Sequence, residues 1–253
     1  MGNLTKDKFG FCGPVWSPMF TDVPLIINDS ENIVMFYEAD RDAVLEILPE
    51  GVELLSDPPV IQVILNHTFG GCAGPHFGNY LFPLCKYNDK PYVLEHFLMV
   101  TNDVAMVMGR EFWGDAKKLC YTEWIWEGNE VVVNVERPKK LTLLKAHFRI
   151  EKQVSLEELN YHNYPCLALK YIPSCEKDKE PDVYQYIEGN LEIIPPASGK
   201  IEVWQGTGSI WMPSPTDVIP VYKLKPKKIL GSYYIRCGFK MDYAKVVKNF
   251  LKE

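Results

Sequence analysis

The segment GREFWGDAKKLC, Gly109 to Cys120, sets Lys117 and Lys118 behind a run of aromatic and small residues. Two further lysine pairs, Lys139-Lys140 in ERPKKL and Lys227-Lys228 in LKPKKIL, follow prolines and other charges, the ordinary setting of solvated turn lysines. The first pair differs because Phe112, Trp113, Leu119, Tyr121 and Trp124 are available to surround an amine. Burial penalises an ammonium, so a lysine enclosed by such residues is driven toward the neutral amine. Moving its pKa from about 10.4 to neutrality is a shift of roughly 3 units, on the order of 4 to 5 kcal/mol. A neutral amine attacks ketones, and the protonated imine is an electron sink for the neighbouring carbon. Cleavage beside a carbonyl is the chemistry this supports. In extended chain, neighbouring side chains point to opposite faces, so only one of the two amines enters a pocket. The residues alone leave a reactive lysine and a structural pair of charges both open.

The remaining candidates are weaker. HTFGGCAGPHFGN, His67 to Asn79, follows a strand but lacks Gly-x-Gly-x-x-Gly and any Lys-Ser/Thr, which disfavours nucleotide binding. It reads as a flexible loop, or as a pocket wall that brings His76 and Tyr80 toward a substrate. Glu111 stands close to the lysines and also beside Arg110, which it can satisfy. The five histidines, His67, His76, His96, His147 and His162, never fall four apart with a glutamate, so no metal site is supported. Gly-x-Ser-x-Gly is missing, and with it the case for a serine nucleophile. No cofactor is indicated.

These residues must be positioned by a chain of 253 residues carrying a formal charge of -6, with 47% hydrophobic and 24% charged residues. That balance is globular, and the acidic excess argues against a nucleic-acid partner, since nothing basic is spare to displace counterions from phosphates. No run of about 18 apolar residues and no secretory leader are visible, so the expectation is a cytoplasmic protein without a membrane partner. The seven cysteines are scattered and never spaced Cys-x-x-Cys, which disfavours disulfides and zinc.

Short alternating apolar stretches dominate: Asn32 to Ala39, Pro59 to His67, Tyr92 to Val100, Ala105 to Gly109, Leu143 to Ile150, Ala168 to Ile172, Ile201 to Gly206 and Tyr233 to Gly238 read as strands. Thr122 to Glu136 reads as a hairpin turning at Gly128 and Asn129. Two helices are expected: DRDAVLEILPEG, capped by Asp40 and stopped by Pro49, and the C-terminal DYAKVVKNFLKE. The charged segment Pro173 to Asp182 is a linker or a long hairpin tip, and with strands on both sides of it residues 1–253 read as one domain.

GREFWGDAKKLCY resembles the active-site segment of acetoacetate decarboxylases, in which Gly-Arg-Glu precedes a Lys-Lys pair at fixed distance. The likeness extends to FYEADRDAVLEILPEGVEL, Phe36 to Leu54, and to EVWQGTGSIWMPSPTDVIPVYKLKPKKIL, Glu202 to Leu230, in the same order. The resemblance implies an α+β, predominantly antiparallel β fold: a cone-like, double-layered barrel with a few flanking helices, enclosing a hydrophobic pocket, in homo-oligomers. It gives Lys117 the place of the Schiff-base nucleophile and Lys118 that of its neighbour. It implies a Schiff-base-forming lyase acting on a keto acid or related ketone, with decarboxylation of a β-keto acid leading. An imine-dependent aldolase, dehydratase or cyclase and a non-catalytic small-molecule-binding protein are the alternatives.

Departures from the family pattern are equally specific. Gln62 stands where the family has one pocket glutamate, and the second falls on Phe77 or Gly78. Ser30 replaces an arginine, and Asp115-Ala116 replaces an aromatic-Pro pair ahead of the lysines. An altered pocket follows, taking a larger or less charged substrate, with His76, Tyr80, Glu111 or Asp115 moving protons. A carboxylate of Asp115 inside the pocket would stand in for a lost glutamate.

Overall fold

A computed structural model of the chain describes residues 1–159 and 164–252; His162 lies outside them. In chain order the elements are β1 (Leu25–Glu38), α1 (Arg41–Ile47), β2 (Glu53–Leu54), β3 (Val60–Gly70), β4 (His76–Tyr87), β5 (Lys90–Leu94), β6 (Phe97–Val100), α2 (Asp103–Met108), β7 (Lys117–Leu119), β8 (Tyr121–Glu127), β9 (Glu130–Glu136), β10 (Thr142–Val154), β11 (Cys166–Ile172), β12 (Val183–Gly189), β13 (Leu191–Ile194), β14 (Glu202–Trp211), β15 (Lys228–Met241) and β16 (Lys245–Asn249). The strands form one sheet ordered β16-β12-β11-β5-β4-β3-β1-β15-β14-β10-β9-β8, almost wholly antiparallel.

Two strands fork, and the forks open the interior. The first half of β4 pairs with β6, Gly78 to Leu81 against Val100 to Phe97, and its second half pairs with β5, Leu84 to Tyr87 against Val93 to Lys90. β15 likewise pairs with β14 over Tyr233 to Arg236 and with β13 over Gly238 to Met241. A strand that changes partners midway belongs to two layers, and side chains facing inward between those layers line a chamber rather than a closed seam. Deeper in the same fold, Met35, Tyr37, Leu65, Leu81 and Val133 pack into the main core.

Most expected strands and the hairpin expected over Thr122 to Glu136 are present, but the stretch Tyr92 to Val100, expected as one strand, is broken at Glu95 and His96 into β5 and β6; Asp40 caps α1 by accepting from the Asp42 and Ala43 amides. Residues 173–182 form the tip of the β11–β12 hairpin. Two further expectations are corrected. Ala105 to Gly109 is not a strand: Asn102 accepts from the Ala105 amide at 2.8 Å and starts α2, burying Ala105 and Met108 three apart. The C-terminus is not a helix: β16 pairs with β12, and Phe250 stacks on Tyr184 with centroids 4.2 Å apart. A terminal helix of some twelve residues is marginal alone, while β-branched Val246 and Val247 suit an edge strand that completes a sheet.

The Tyr37 hydroxyl, fully buried in the core, donates to the Leu224 carbonyl at 2.7 Å. Tyr37→Phe leaves that carbonyl without its donor and should destabilise the fold by about 1–3 kcal/mol, read from the urea unfolding midpoint at unchanged slope.

Candidate active site

The segment that reaches the chamber is held by its backbone. Asn102 caps α2 and also donates to the Ala73 carbonyl at 2.7 Å, tying the helix start to the β3–β4 turn. Past Met108 the chain widens into one π-helical turn, Gly109–Trp113, a local irregularity often found at functional sites. Gly114 closes it in the left-handed region at φ 83°, and a Cβ there would collide with Lys170. The Gly114 and Asp115 amides both return to the Gly109 carbonyl, at 2.8 and 3.0 Å, and aim Asp115 inward. Trp113 fixes the turn from outside by donating from Nε1 to the Asp242 carbonyl at 3.0 Å.

β7 then runs parallel to β6, and one row of paired residues, Lys117, Leu98, Tyr80, Ile64 and Val34, crosses five strands. Lys117 Nζ lies 2.6 Å from Asp115 Oδ2, the two side chains being only 11% and 1% exposed. Gly109 makes room for both, since a Cβ there would come within 2.5 Å of Lys117 Cδ, 2.6 Å of Nζ and 2.7 Å of the Asp115 oxygen.

Burial pulls the Lys117 ammonium toward lower pKa, but the Asp115 charge and hydrogen bond overcome it and hold the group above the ordinary lysine range. The resting side chain is therefore an ammonium, which corrects the expectation of a neutral amine created by desolvation. A count of nearby apolar residues cannot include a carboxylate whose direction is set by a π turn.

Glu95, which the sequence reading missed, is the third member. It lies between β5 and β6, only 8% exposed, and lines the chamber beside Asp115 and Cys166. Burial first, and the Asp115 charge second, push its carboxyl well above the usual carboxylate range. Asp115 Oδ1 is buried without a hydrogen-bond donor among the described residues. Lys117 and Asp115 thus form a buried ion pair, and the Glu95 carboxyl beside them is pushed toward its protonated form.

The raised pKa of Glu95 has a thermodynamic consequence. Because it exceeds the unfolded value, the associated stability is complete below about pH 4.3 and is lost as pH rises toward the folded value. Glu95→Gln keeps a neutral donor and cannot ionise. The variant should gain stability relative to the parent between pH 5 and pH 7.5, measured as the difference in urea midpoints.

The chamber gathers Gln62, His76, Tyr80, Asp115 and Lys117 from the sequence candidates and adds Glu95, Asn66, Trp113 and Cys166. Burial lowers the His76 pKa, opposed by the Gly74 carbonyl and reinforced by Lys117, so the ring is neutral. Nδ1–H donates to that carbonyl at 2.9 Å, which leaves Nε2 as an acceptor. Tyr80 is held as the phenol, by burial above all.

Four candidates lie elsewhere. Lys118 is exposed and donates to the Val218 carbonyl at 2.6 Å, as strand alternation requires. Ser30 is buried and donates to the Cys237 carbonyl at 2.9 Å. Phe77 stacks on His67 at 4.3 Å and lines a separate depression with Tyr121 and Lys139. Glu111 is exposed on the π turn. Among the described residues no group of three or more His, Cys, Asp or Glu is placed to hold a metal ion, and no helix is long and apolar enough to cross a membrane.

A forked antiparallel sheet around an apolar chamber with one buried amine and two carboxyl groups defines a barrel of the acetoacetate decarboxylase-like enzymes. The family model described as Acetoacetate decarboxylase (ADC) matches residues 13–251, and the chain belongs to that family. The "Acetoacetate decarboxylase" of Acidiphilium cryptum (strain JF-5) is 24% identical over 255 residues, covering 99% of this chain and 100% of the relative. A solved structure described as "Structural Studies of Acetoacetate Decarboxylase" superposes with TM-score 0.86 at 21% identity, over 98% of this chain and 100% of the other. The fold is also that of the enduracididine biosynthesis enzyme MppR, solved with the condensation product of pyruvate and imidazole 4-carboxaldehyde, with TM-score 0.75 and 14% identity over 95% and 97% of the chains.

Proposed function

We propose that this chain is a Schiff-base lyase that decarboxylates a β-keto acid, with Lys117 as nucleophile. The observation that carries the reading is a lysine Nζ enclosed in an apolar chamber 2.6 Å from a carboxylate. The ammonium itself is no nucleophile, but its proton has an acceptor at hydrogen-bond distance, so the amine forms without help from bulk water. The amine adds to the keto carbon, and the protonated Asp115 returns its proton as the carbinolamine loses water. In the resulting iminium, the bond to the carboxylate carbon breaks, its electron pair moves to nitrogen, and CO2 leaves an enamine. Glu95, still carrying its proton, stands next in line to protonate the enamine carbon. Hydrolysis of the product imine frees Lys117. Glu95 and Asp115 thereby take over the duty of the glutamates that Gln62 and Phe77 or Gly78 replace.

A second reading is aldol-type condensation or dehydration through the same imine. It is supported by the product named for MppR, which shares this fold.

Incubation with β-keto and α-keto acids plus borohydride, followed by peptide mapping, tests both. A reduced adduct on Lys117 with CO2 release is expected. An adduct without CO2 selects the aldol-type reaction, an adduct on another lysine removes the residue assignment, and no adduct in folded protein reassigns the chain to small-molecule binding.

A further inference from the structure

Two features of the chamber are unspent by this mechanism: its aliphatic extent and Gln62. Among the described residues the ionisable side chains of lysine, arginine, aspartate and glutamate that line the chamber are Lys117, Asp115 and Glu95, and none is an arginine. A substrate carboxylate distant from Lys117 therefore meets no free cation among the described residues. The wall formed by the far ends of β1, β13 and β15, including Leu25, Ile27, Ile193 and Phe239, is apolar and continuous with α2.

Against this background Gln62 stands apart. It is 1% exposed, its Oε1 is buried without a partner, and its side-chain amide makes no hydrogen bond to any described residue. Its neighbours across the sheet are Phe36 and Phe82. The other lining amides are not comparable. Asn66 donates to Asn32 at 2.7 Å and accepts from Thr68 at 2.7 Å, and Asn32 donates on to Ser30 at 3.0 Å, so that ladder is internally satisfied. A buried amide left unpaired costs about 1–3 kcal/mol, and one lining a ligand chamber is relieved by a ligand group that both donates and accepts. Hydroxyls and amides do so. A carboxylate offers acceptors only and would face Oε1.

Gln62 is three strands and two residues from Lys117 in the sheet, through Ile64, Tyr80 and Leu98. Strand spacing and rise put the two no more than roughly 16 Å apart along the sheet. Both side chains enter the same chamber, and the lining between them includes Ile64, Leu98 and Phe82, so a ligand engaging both crosses an apolar surface. We infer that the substrate is an extended, largely aliphatic keto compound whose carbonyl meets Lys117 and whose distal neutral hydroxyl or amide is read by Gln62. This rests on the lysine reading for the position of the carbonyl, but the Gln62 contact is separately measurable.

The test uses methyl ketones of increasing length, from acetone to 2-decanone, and the same chains carrying one hydroxyl at successive positions. Binding is measured by calorimetry, and adduct formation by borohydride reduction, in the parent and in Gln62→Leu and Gln62→Met. Affinity should rise with chain length, and one hydroxyl position should add at least about tenfold, because a site built around a polar group discriminates against a ligand lacking it. Both variants should lose that gain while trapping acetone on Lys117 as the parent does, which shows that the chamber is intact. No favourable hydroxyl position, or a gain that survives in both variants, overturns the subsite and leaves Lys117 untouched. A Gln62-dependent gain without any adduct on Lys117 upholds the subsite and overturns the lysine reading instead.

Discussion

Lys117→Arg should yield folded protein with no borohydride-reducible adduct and a loss of keto acid turnover of at least about 10³-fold. Arginine is the informative replacement because it keeps the cation beside Asp115, whose carboxylate is only 1% exposed and 2.6 Å from the lysine nitrogen. Alanine would leave that charge buried and alone, a change that costs about 3–5 kcal/mol and confuses loss of chemistry with loss of fold. Guanidinium does not shed its proton at working pH and forms no imine. Thermal unfolding and reductive trapping measured side by side separate the two effects. Retained turnover would show that the reaction does not pass through this amine.

Gly109→Ala should lower turnover by about 10² while leaving the circular dichroism spectrum and unfolding midpoint nearly unchanged. Gly109 has φ -61° and ψ -50°, a conformation alanine adopts freely, so the backbone gives no reason for glycine. The reason is the space over it. An added Cβ falls 2.5 to 2.7 Å from Lys117 Cδ, Lys117 Nζ and Asp115 Oδ2, and both flexible side-chain ends must move off. Displacement on the order of 1 Å at a reacting group is enough for a loss of that size. A variant that traps ketones at the parental rate would mean that the pair tolerates the shift and does not depend on this contact.

Much of this arrangement was legible in the chain. Alternation identified β1, the 121–136 hairpin and β15, Asp40 announced α1, and the setting of Lys117 distinguished it from the other lysine pairs. The opposite fates of Lys117 and Lys118 followed from strand geometry alone. What escaped were features that depend on partners distant in sequence. Glu95 sits inside the stretch Tyr92 to Val100, which reads as one strand, and nothing local separates it from a solvated charge; the fork of β4 breaks that stretch into β5 and β6 and leaves Glu95 between them, in the chamber wall with Asp115. The apolar stretch from Ala105 to Gly109 carries no strict period, and the Asn102 cap decides for helix. Val246, Val247 and Phe250 gain a sheet edge and an aromatic stack from β12, which outweigh a weak terminal helix.

The doubled lysine obeys a parity rule. Asp115 and Lys117 are two apart and share the inner side, while Lys118 is turned out to the Val218 carbonyl. Which amine enters the chamber is thus decided by the register of β7 on β6, Lys117 opposite Leu98 and Lys118 opposite Met99, and not by any difference between two identical side chains. A one-residue slip of β7 along β6 exchanges the two lysines and takes the inner one away from its carboxylate.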